Sequence, residues 1–164
     1  AGTIKIYPKT IDLVSITVFV IEELRSIAEE KGLRIHLSTA FKEAKVFADE
    51  YCIHQALINL IENAIKFTPE GSIDIDITQM QDQIAFSVTD SGIGISEDYQ
   101  ERIFEPYTQE SEGFTKNFQG VGLGMALTKR FADLNHIEIK LKSVGGVGTT
   151  FTLIFPPQEG TTLV

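Results

Sequence analysis

From Ser72 onward the apolar residues fall on every second position. Ile73, Ile75 and Ile77 alternate with Asp74, Asp76 and Thr78, and Ile84, Phe86 and Val88 alternate with Ala85, Ser87 and Thr89. A period of two puts one set of side chains on each face of a strand. The polar stretch Gln79 to Asp82 between the two runs is the expected hairpin turn. The alternation returns at Ile137, Ile139 and Leu141 against Glu138, Lys140 and Lys142, and Phe151, Leu153 and Phe155 close it. Such strands keep one face on a core and one in water. The sheet is therefore expected to be antiparallel or mixed with helices on one side only, a two-layer α/β sandwich and not a doubly wound parallel sheet.

The helices that cover it are expected from three- and four-residue spacing. Leu13, Ile16, Val20, Leu24, Ile27 and Ala28 follow Asp12, a capping residue, and Gly32 ends the run as a left-handed cap. Strands are expected at Leu33 to Ser38 and Ala44 to Ala48. A second helix runs from about Glu50 to Phe67 with Ile53, Leu57, Leu60 and Ala64 inward, until Pro69 and Gly71 stop it. A third starts near Gly122 and ends about Leu134. Between Ile95 and Phe118 the chain is polar with little periodicity and longer than an ordinary connection, which reads as a lid or functional loop. Residues 1–156 are expected to form one domain and 157–164 a tail or linker.

A net charge of −9 argues against a nucleic-acid or anionic-membrane surface, since both need clustered Lys and Arg. An anionic ligand must then be met by a local positive site. Cys52 is the single cysteine, so no internal disulfide forms and a reducing, cytoplasmic setting is expected. The longest apolar run, Ile16 to Ile21, is interrupted by Thr17 and falls short of the roughly 20 residues of a bilayer span. No targeting segment is expected.

Four stretches carry chemistry. In "FQGVGLGMAL" (Phe118 to Leu127), Gly120, Gly122 and Gly124 strip side chains from the start of a helix, where backbone N–H groups and the helix dipole favour anions. The spacing fits neither a dinucleotide fingerprint nor a Walker A loop, and a mobile linker is the plainer alternative. In "NLIENAIKFT", Asn59, Asn63 and Lys66 lie at i, i+4 and i+7, so two carboxamides and an ammonium share one stripe. Carboxamide oxygens are hard ligands suited to Mg²⁺, and a lysine nearby reaches phosphate oxygens. Glu62, four residues before Lys66, has the spacing of a helical ion pair. "DSGIGI" (Asp90 to Ile95) places an acid at a strand end followed by Gly92 and Gly94, an acceptor for an exocyclic amine or simply a turn. "GVGTTFTLIFP" (Gly146 to Pro156) reads first as a turn entering a strand.

In this order and spacing the four stretches resemble the N, G1, G2 and G3 boxes of the histidine-kinase ATP-binding domain, within the gyrase, Hsp90, histidine kinase and MutL superfamily. "IFEPYTQ" (Ile103 to Gln109) resembles the F box. The resemblance implies the Bergerat sandwich, with three helices over a mixed, mostly antiparallel sheet, and it implies ATP and Mg²⁺ as cofactors. On it Asn63 coordinates Mg²⁺ with Asn59 close by, Lys66 contacts phosphate, Phe67 packs near the base and Asp90 accepts from the adenine amino group. Gly92, Gly94 and Ile95 shape the base pocket. Gly120, Gly122, Leu123 and Gly124 let the lid approach the triphosphate, and Thr149 or Thr150 lines the back of the adenine site. Lys116 is either a lid contact to phosphate or an exposed lysine. The helix-to-strand turn "LNHIEI" departs from the glycine-rich turn of the family, and Met125 stands where leucine is common.

The resemblance implies phosphoryl transfer from ATP to a histidine on a separate dimerisation domain, and from there to a response-regulator receiver domain. His36, His54 and His136 do not match the phosphoacceptor context, so the chain resembles the catalytic half of a sensor kinase, cytoplasmic or the cytoplasmic part of a membrane-bound sensor. Three other readings stand beside it: an anti-sigma-type serine kinase, an ATP hydrolase or clamp, and a non-catalytic ATP-sensing module. Asn59 stands where the hydrolases place a water-activating glutamate. Without nucleotide, part of Ser111 to Gly120 is expected to be poorly ordered.

Overall fold

The structure, a computed structural model, describes residues 3–106 and 121–157. Its main sheet has five strands: β2 (Arg34–Thr39), β4 (Ser72–Met80), β5 (Gln83–Asp90), β6 (Glu138–Val144) and β7 (Gly148–Ile154), in the order β2-β4-β5-β7-β6. Only β2 and β4 pair in parallel; the other neighbours are antiparallel. The connection from β2 to β4 passes through β3 (Lys45–Ala48) and α2 (Glu50–Phe67), the long crossover that a parallel pair requires. The expected turn between β4 and β5 shrinks to Gln81 and Asp82, with Gln81 at φ 56.

One face of this sheet forms the core. Ile73, Ile75 and Ile77 of β4, Phe86 and Val88 of β5, and Phe151 and Leu153 of β7 are buried with Leu13, Val20 and Leu24 of α1 (Leu13–Glu30) and Leu57, Leu60 and Ile61 of α2. Each such side chain contributes about 1.5–3 kcal/mol when fully buried. The other face carries Asp74, Asp76, Ser87, Thr89, Thr150, Thr152, Lys140 and Lys142, the polar half of the alternation. The two-layer sandwich expected from the sequence is the fold observed.

Three local features differ from expectation, and the non-glycine turn after the last helix takes a left-handed residue. Lys9–Asp12 forms β1, which pairs with β3 in a separate two-stranded sheet. Asp12 caps α1 as expected, accepting from Val14 N at 3.1 Å, and it also accepts from Ala44 N at 2.9 Å, which holds the start of β3. Ile27, expected inward on α1, is exposed because its position has rotated off the sheet-facing stripe. Residues 95–106 are not part of an open lid. They contain α3 (Glu97–Gln100), capped by Ser96, and Ile95, Tyr99 and Ile103 are buried. Finally, α4 (Val121–Leu134) ends in "LNH" with His136 at φ 59, a conformation usually given to glycine. Ile137 N reaches back to Ala132 O at 2.8 Å, so hydrogen bonds hold the strained residue.

No described helix is long and apolar enough to cross a membrane.

Candidate functional site

Helix α2 begins at a tightly built cap. Asp49 accepts from Cys52 N at 2.9 Å and from Tyr7 N at 2.7 Å, while its own N–H donates to Asn135 Oδ1 at 2.8 Å. Burial works against the Asp49 carboxylate, but the hydrogen bonds from Tyr7 and Cys52 together hold its pKa below the usual value. Asn135 also donates to Phe131 O at 2.8 Å, so one buried carboxamide ties the end of α4 to the start of α2. At the other end α2 stops at Thr68, since Pro69 disfavours a helical residue before it. Lys31 Nζ donates to Ile65 O there, satisfying a terminal carbonyl.

The stripe of Asn59, Asn63 and Lys66 is present on α2, but its members have different surroundings. Asn59 Nδ2 donates to Gly124 O at 3.3 Å and to Thr128 Oγ1 at 3.2 Å, joining α2 to the first turn of α4. Thr128 closes the triangle by donating to Gly124 O at 2.8 Å. Asn63 is only 6% exposed, and its Nδ2 has no hydrogen-bond partner. A buried amide left unpaired costs about 1–3 kcal/mol, so this one calls for a ligand. Lys66 makes no ion pair among the described residues; the four-residue pair with Glu62 does not form, which leaves the ammonium available to an anion. Phe67 is buried at the end of the helix, and its carbonyl accepts from Ile93 N at 3.0 Å.

Asp90 is the last residue of β5 and is 6% exposed. Burial pushes its carboxyl pKa up, offset only in part by hydrogen bonds from the backbone of Gly92 and Thr149. No ion pair relieves it among the described residues. A buried acid kept without a counter-charge is a mark of a functional site.

Glycines make its setting possible. A methyl group at Gly92 meets Phe67 O at 2.1 Å and Asp90 Oδ1 at 2.9 Å, and one at Gly148 meets Asp90 O at 2.1 Å. The end of α2 therefore closes on Gly92, and β7 closes on the Asp90 main chain at Gly148, at distances no side chain permits. Gly94, at φ +77, instead packs on the turn between β6 and β7, where an added methyl meets Val144 O at 2.3 Å. Ile95 is 2% exposed and belongs to the core, so it supports the loop from beneath.

The two threonines separate. Thr149 pairs with Asp90 in register and shares its core-side face, 4% exposed. Thr150 projects to the opposite face and meets Thr89 Oγ1 at 3.0 Å, beside a cleft of about 340 Å³ that Asp74 and Lys142 also line. Alternation along β7 turns Thr149 and Thr150 to opposite faces, and both line that cleft together with Asp90 and Ser143. Lys116 and Gly120, together with the disorder expected for Ser111 to Gly120, lie outside the described residues; Gly122 and Leu123 belong to the first turn of α4. Met125 is fully buried in the core, so its departure from leucine is a packing change.

Gly148, Ser143, Thr128 and Asn135 escape the sequence reading. Gly148 sits inside a quoted motif and had a signal, since a glycine entering a strand marks close backbone approach. The other three act through partners far away in the chain and carry no local signal.

The sequence pattern of the family described as "Histidine kinase-, DNA gyrase B-, and HSP90-like ATPase" matches residues 48–159. The chain is 32% identical over 142 residues to the autoinducer 2 sensor kinase/phosphatase LuxQ of Vibrio harveyi, covering 82% of this chain and 16% of that protein. It is 41% identical over 126 residues to the circadian input-output histidine kinase CikA of Thermosynechococcus vestitus, covering 76% and 17%. Among solved structures it superposes on full-length ShkA in complex with AMPPNP with a TM-score of 0.82 and 28% identity, covering 96% of this chain and 32% of that one. It superposes on the nucleotide-free catalytic domain of the histidine kinase ThkA with a TM-score of 0.79 and 25% identity, covering 93% and 97%. The chain thus spans 16% and 17% of the length of the two curated relatives.

Proposed function

The chain belongs to the histidine kinase-, DNA gyrase B- and HSP90-like ATPase family, and from that premise we propose that it is the ATP-binding catalytic domain of a sensor histidine kinase of a two-component system. It binds Mg-ATP and passes the γ-phosphoryl group to a histidine on a separate dimerisation domain, from which a receiver domain takes it. The domain comprises residues 1–156, with 157–164 a tail, and works in the cytoplasm, alone or as part of a membrane-bound sensor.

The observation that carries this reading is Asp90, a buried, uncompensated carboxylate that accepts from the backbone of Gly92 and Thr149. Such a group accepts strongly from a neutral donor such as the adenine amine. Phe67 and the Gly92–Ile95 loop form the wall beside the base. Asn63 and Lys66 lie further along the same helix, where an unpartnered carboxamide and an unpaired ammonium suit a metal-triphosphate. The two ends of the Asn63 carboxamide exchange by a half-turn, so its oxygen can face the ion. Asn63 would hold Mg²⁺ there, and the ion would supply charge neutralisation to the phosphate oxygens. On this reading the glycines at the first turn of α4, Gly122 and Gly124, let the chain approach the triphosphate, and Thr149 backs the adenine site.

Asn59 weighs against hydrolysis. Its NH₂ donates to Gly124 O and Thr128 Oγ1, and a water-activating glutamate there would set a carboxylate against a carbonyl. With Asn59 in place of that glutamate, the γ-phosphoryl is kept for an acceptor brought by another domain, and catalysis consists of positioning and charge neutralisation.

The test has two stages. AMPPNP titrated calorimetrically into the chain is expected to bind saturably, more tightly with Mg²⁺ than with EDTA. The chain incubated with [γ-³²P]ATP and a separately produced helical domain carrying the acceptor histidine is expected to yield acid-labile phosphate on that domain. Absence of binding, or acid-stable phosphoserine in place of phosphohistidine, overturns the proposal.

A further inference from the structure

Ser143 lies in none of the motifs, at the end of β6, yet its hydroxyl makes three hydrogen bonds. Ile95 N donates to Ser143 Oγ at 2.8 Å, Ser143 Oγ donates to Gly148 O at 3.0 Å, and Ser143 Oγ and Thr149 Oγ1 are 2.8 Å apart. Gln100 Nε2 fixes the neighbourhood, donating to Ile95 O at 2.7 Å.

Proton counting decides the direction of the last contact. A serine hydroxyl has one proton and two lone pairs. The Ile95 N–H can only donate, so it takes one lone pair. The Gly148 carbonyl can only accept, so it takes the proton. Ser143 therefore has nothing left but a lone pair for Thr149, and all three contacts are satisfied together only if the Thr149 hydroxyl is the donor. That spends Thr149's one proton on the Ser143 side.

Register supplies the rest. Ile73, Asp90, Thr149 and Ser143 are successive partners across β4, β5, β7 and β6, and alternation turns them all to the core-side face. Thr149 thus stands between Ser143 and Asp90. With its proton turned to Ser143, Thr149 offers only lone pairs on the Asp90 side, next to a carboxylate that also only accepts.

We propose that Ser143 is a specificity-determining positioning residue: by fixing the Thr149 hydroxyl as an acceptor beside Asp90, it makes this site select a base that presents an amino group over one that presents a carbonyl. The inference rests on the adenine reading of Asp90. It adds a residue from outside the motifs and a reason for the choice between 6-amino and 6-oxo purines. Without Ser143 the Thr149 hydroxyl is free to turn and donate to a 6-oxo group, and part of the discrimination is lost.

The experiment compares the Kd of ATP with that of inosine triphosphate, which carries a carbonyl in place of the amino group, by calorimetry in Mg²⁺ on the whole chain. Wild type is expected to prefer ATP. Ser143→Ala is expected to lower the ITP-to-ATP Kd ratio by about three- to tenfold, the worth of one neutral hydrogen bond. Ser143→Thr, which keeps the hydroxyl, is expected to restore it. Thr149→Val is expected to lower the ratio as far as Ser143→Ala does, and the double variant no further. A general weakening by Ser143→Ala that leaves the ratio unchanged overturns the proposal, because a merely structural role affects both nucleotides alike. An unchanged ratio in Thr149→Val overturns it too, whether or not Ser143→Ala folds. Failure of wild type to bind either nucleotide overturns the ATP-binding reading itself and is seen before any variant is made.

Discussion

Asp90→Asn separates what Asp90 costs the fold from what it gives the ligand. Asparagine has nearly the same shape, and its Oδ1 still accepts from Gly92 N, the 2.9 Å bond that shapes the loop. What is lost is the charge, together with one of the two oxygens open to the Gly92 and Thr149 backbone. In the apo protein that charge is a burden: burial raises the folded-state pKa above the ordinary 3.8. A carboxyl with a raised folded pKa binds its proton more tightly folded than unfolded. Stability therefore falls as pH rises from about the unfolded pKa through the folded one, and stays reduced at neutral pH. Asp90→Asn removes that penalty, so its Tm at pH 7 is expected to equal or exceed that of wild type. The difference should shrink as both proteins are measured toward pH 4. In the complex the sign reverses. A hydrogen bond to a charged acceptor is worth about 1.5–3 kcal/mol, which is a factor of about 10–150 in affinity. The assays are differential scanning fluorimetry across pH for stability and AMPPNP calorimetry for affinity. Wild-type affinity in Asp90→Asn, or a Tm well below wild type at pH 7, refutes the reasoning.

Three further outcomes follow from particular contacts. In Gly92→Ala a methyl group must displace the carbonyl of Phe67, 2.1 Å away, at a cost of about 1–3 kcal/mol in stability. AMPPNP binding is expected to weaken with it; a variant that binds like wild type contradicts the placement of this loop. Asn135→Ala strips the acceptor from the Asp49 N–H, and the lost bonds are expected to cost about 2–3 kcal/mol in urea unfolding. A change below about 0.5 kcal/mol, the scatter of surface substitutions, shows that the α4–α2 tie is unimportant. His136→Gly relieves a non-glycine residue at φ 59 and is expected to raise stability by about 0.5–1 kcal/mol, read as a higher urea midpoint; a lower midpoint shows that the imidazole itself supports the turn.

The sequence determined what local rules can carry. Alternation from Ile73 to Val88 and from Ile137 to Phe155 marks strands with one buried face, and Asp12, Gly32 and Pro69 mark helix ends, because side-chain period and capping are read over a few residues. The boxes around Asn63, Asp90 and Gly122 were legible for the same reason, each being a short segment whose residue types suit a ligand. Tertiary structure decided the rest. That Asn59 serves α4 while Asn63 is left unpartnered depends on a helix 65 residues away in the chain. That Thr149 and not Thr150 stands beside Asp90 depends on the register of β5 with β7, and Ser143 enters only because β6 pairs beyond them. Ile95, Tyr99 and Ile103 lie in a stretch whose sequence shows little periodicity, and their place in the core was settled by what packs against them. Hydrogen-bond direction, burial and glycine-only approaches are relations between distant segments, and a chain expresses them only once its backbone has brought those segments together.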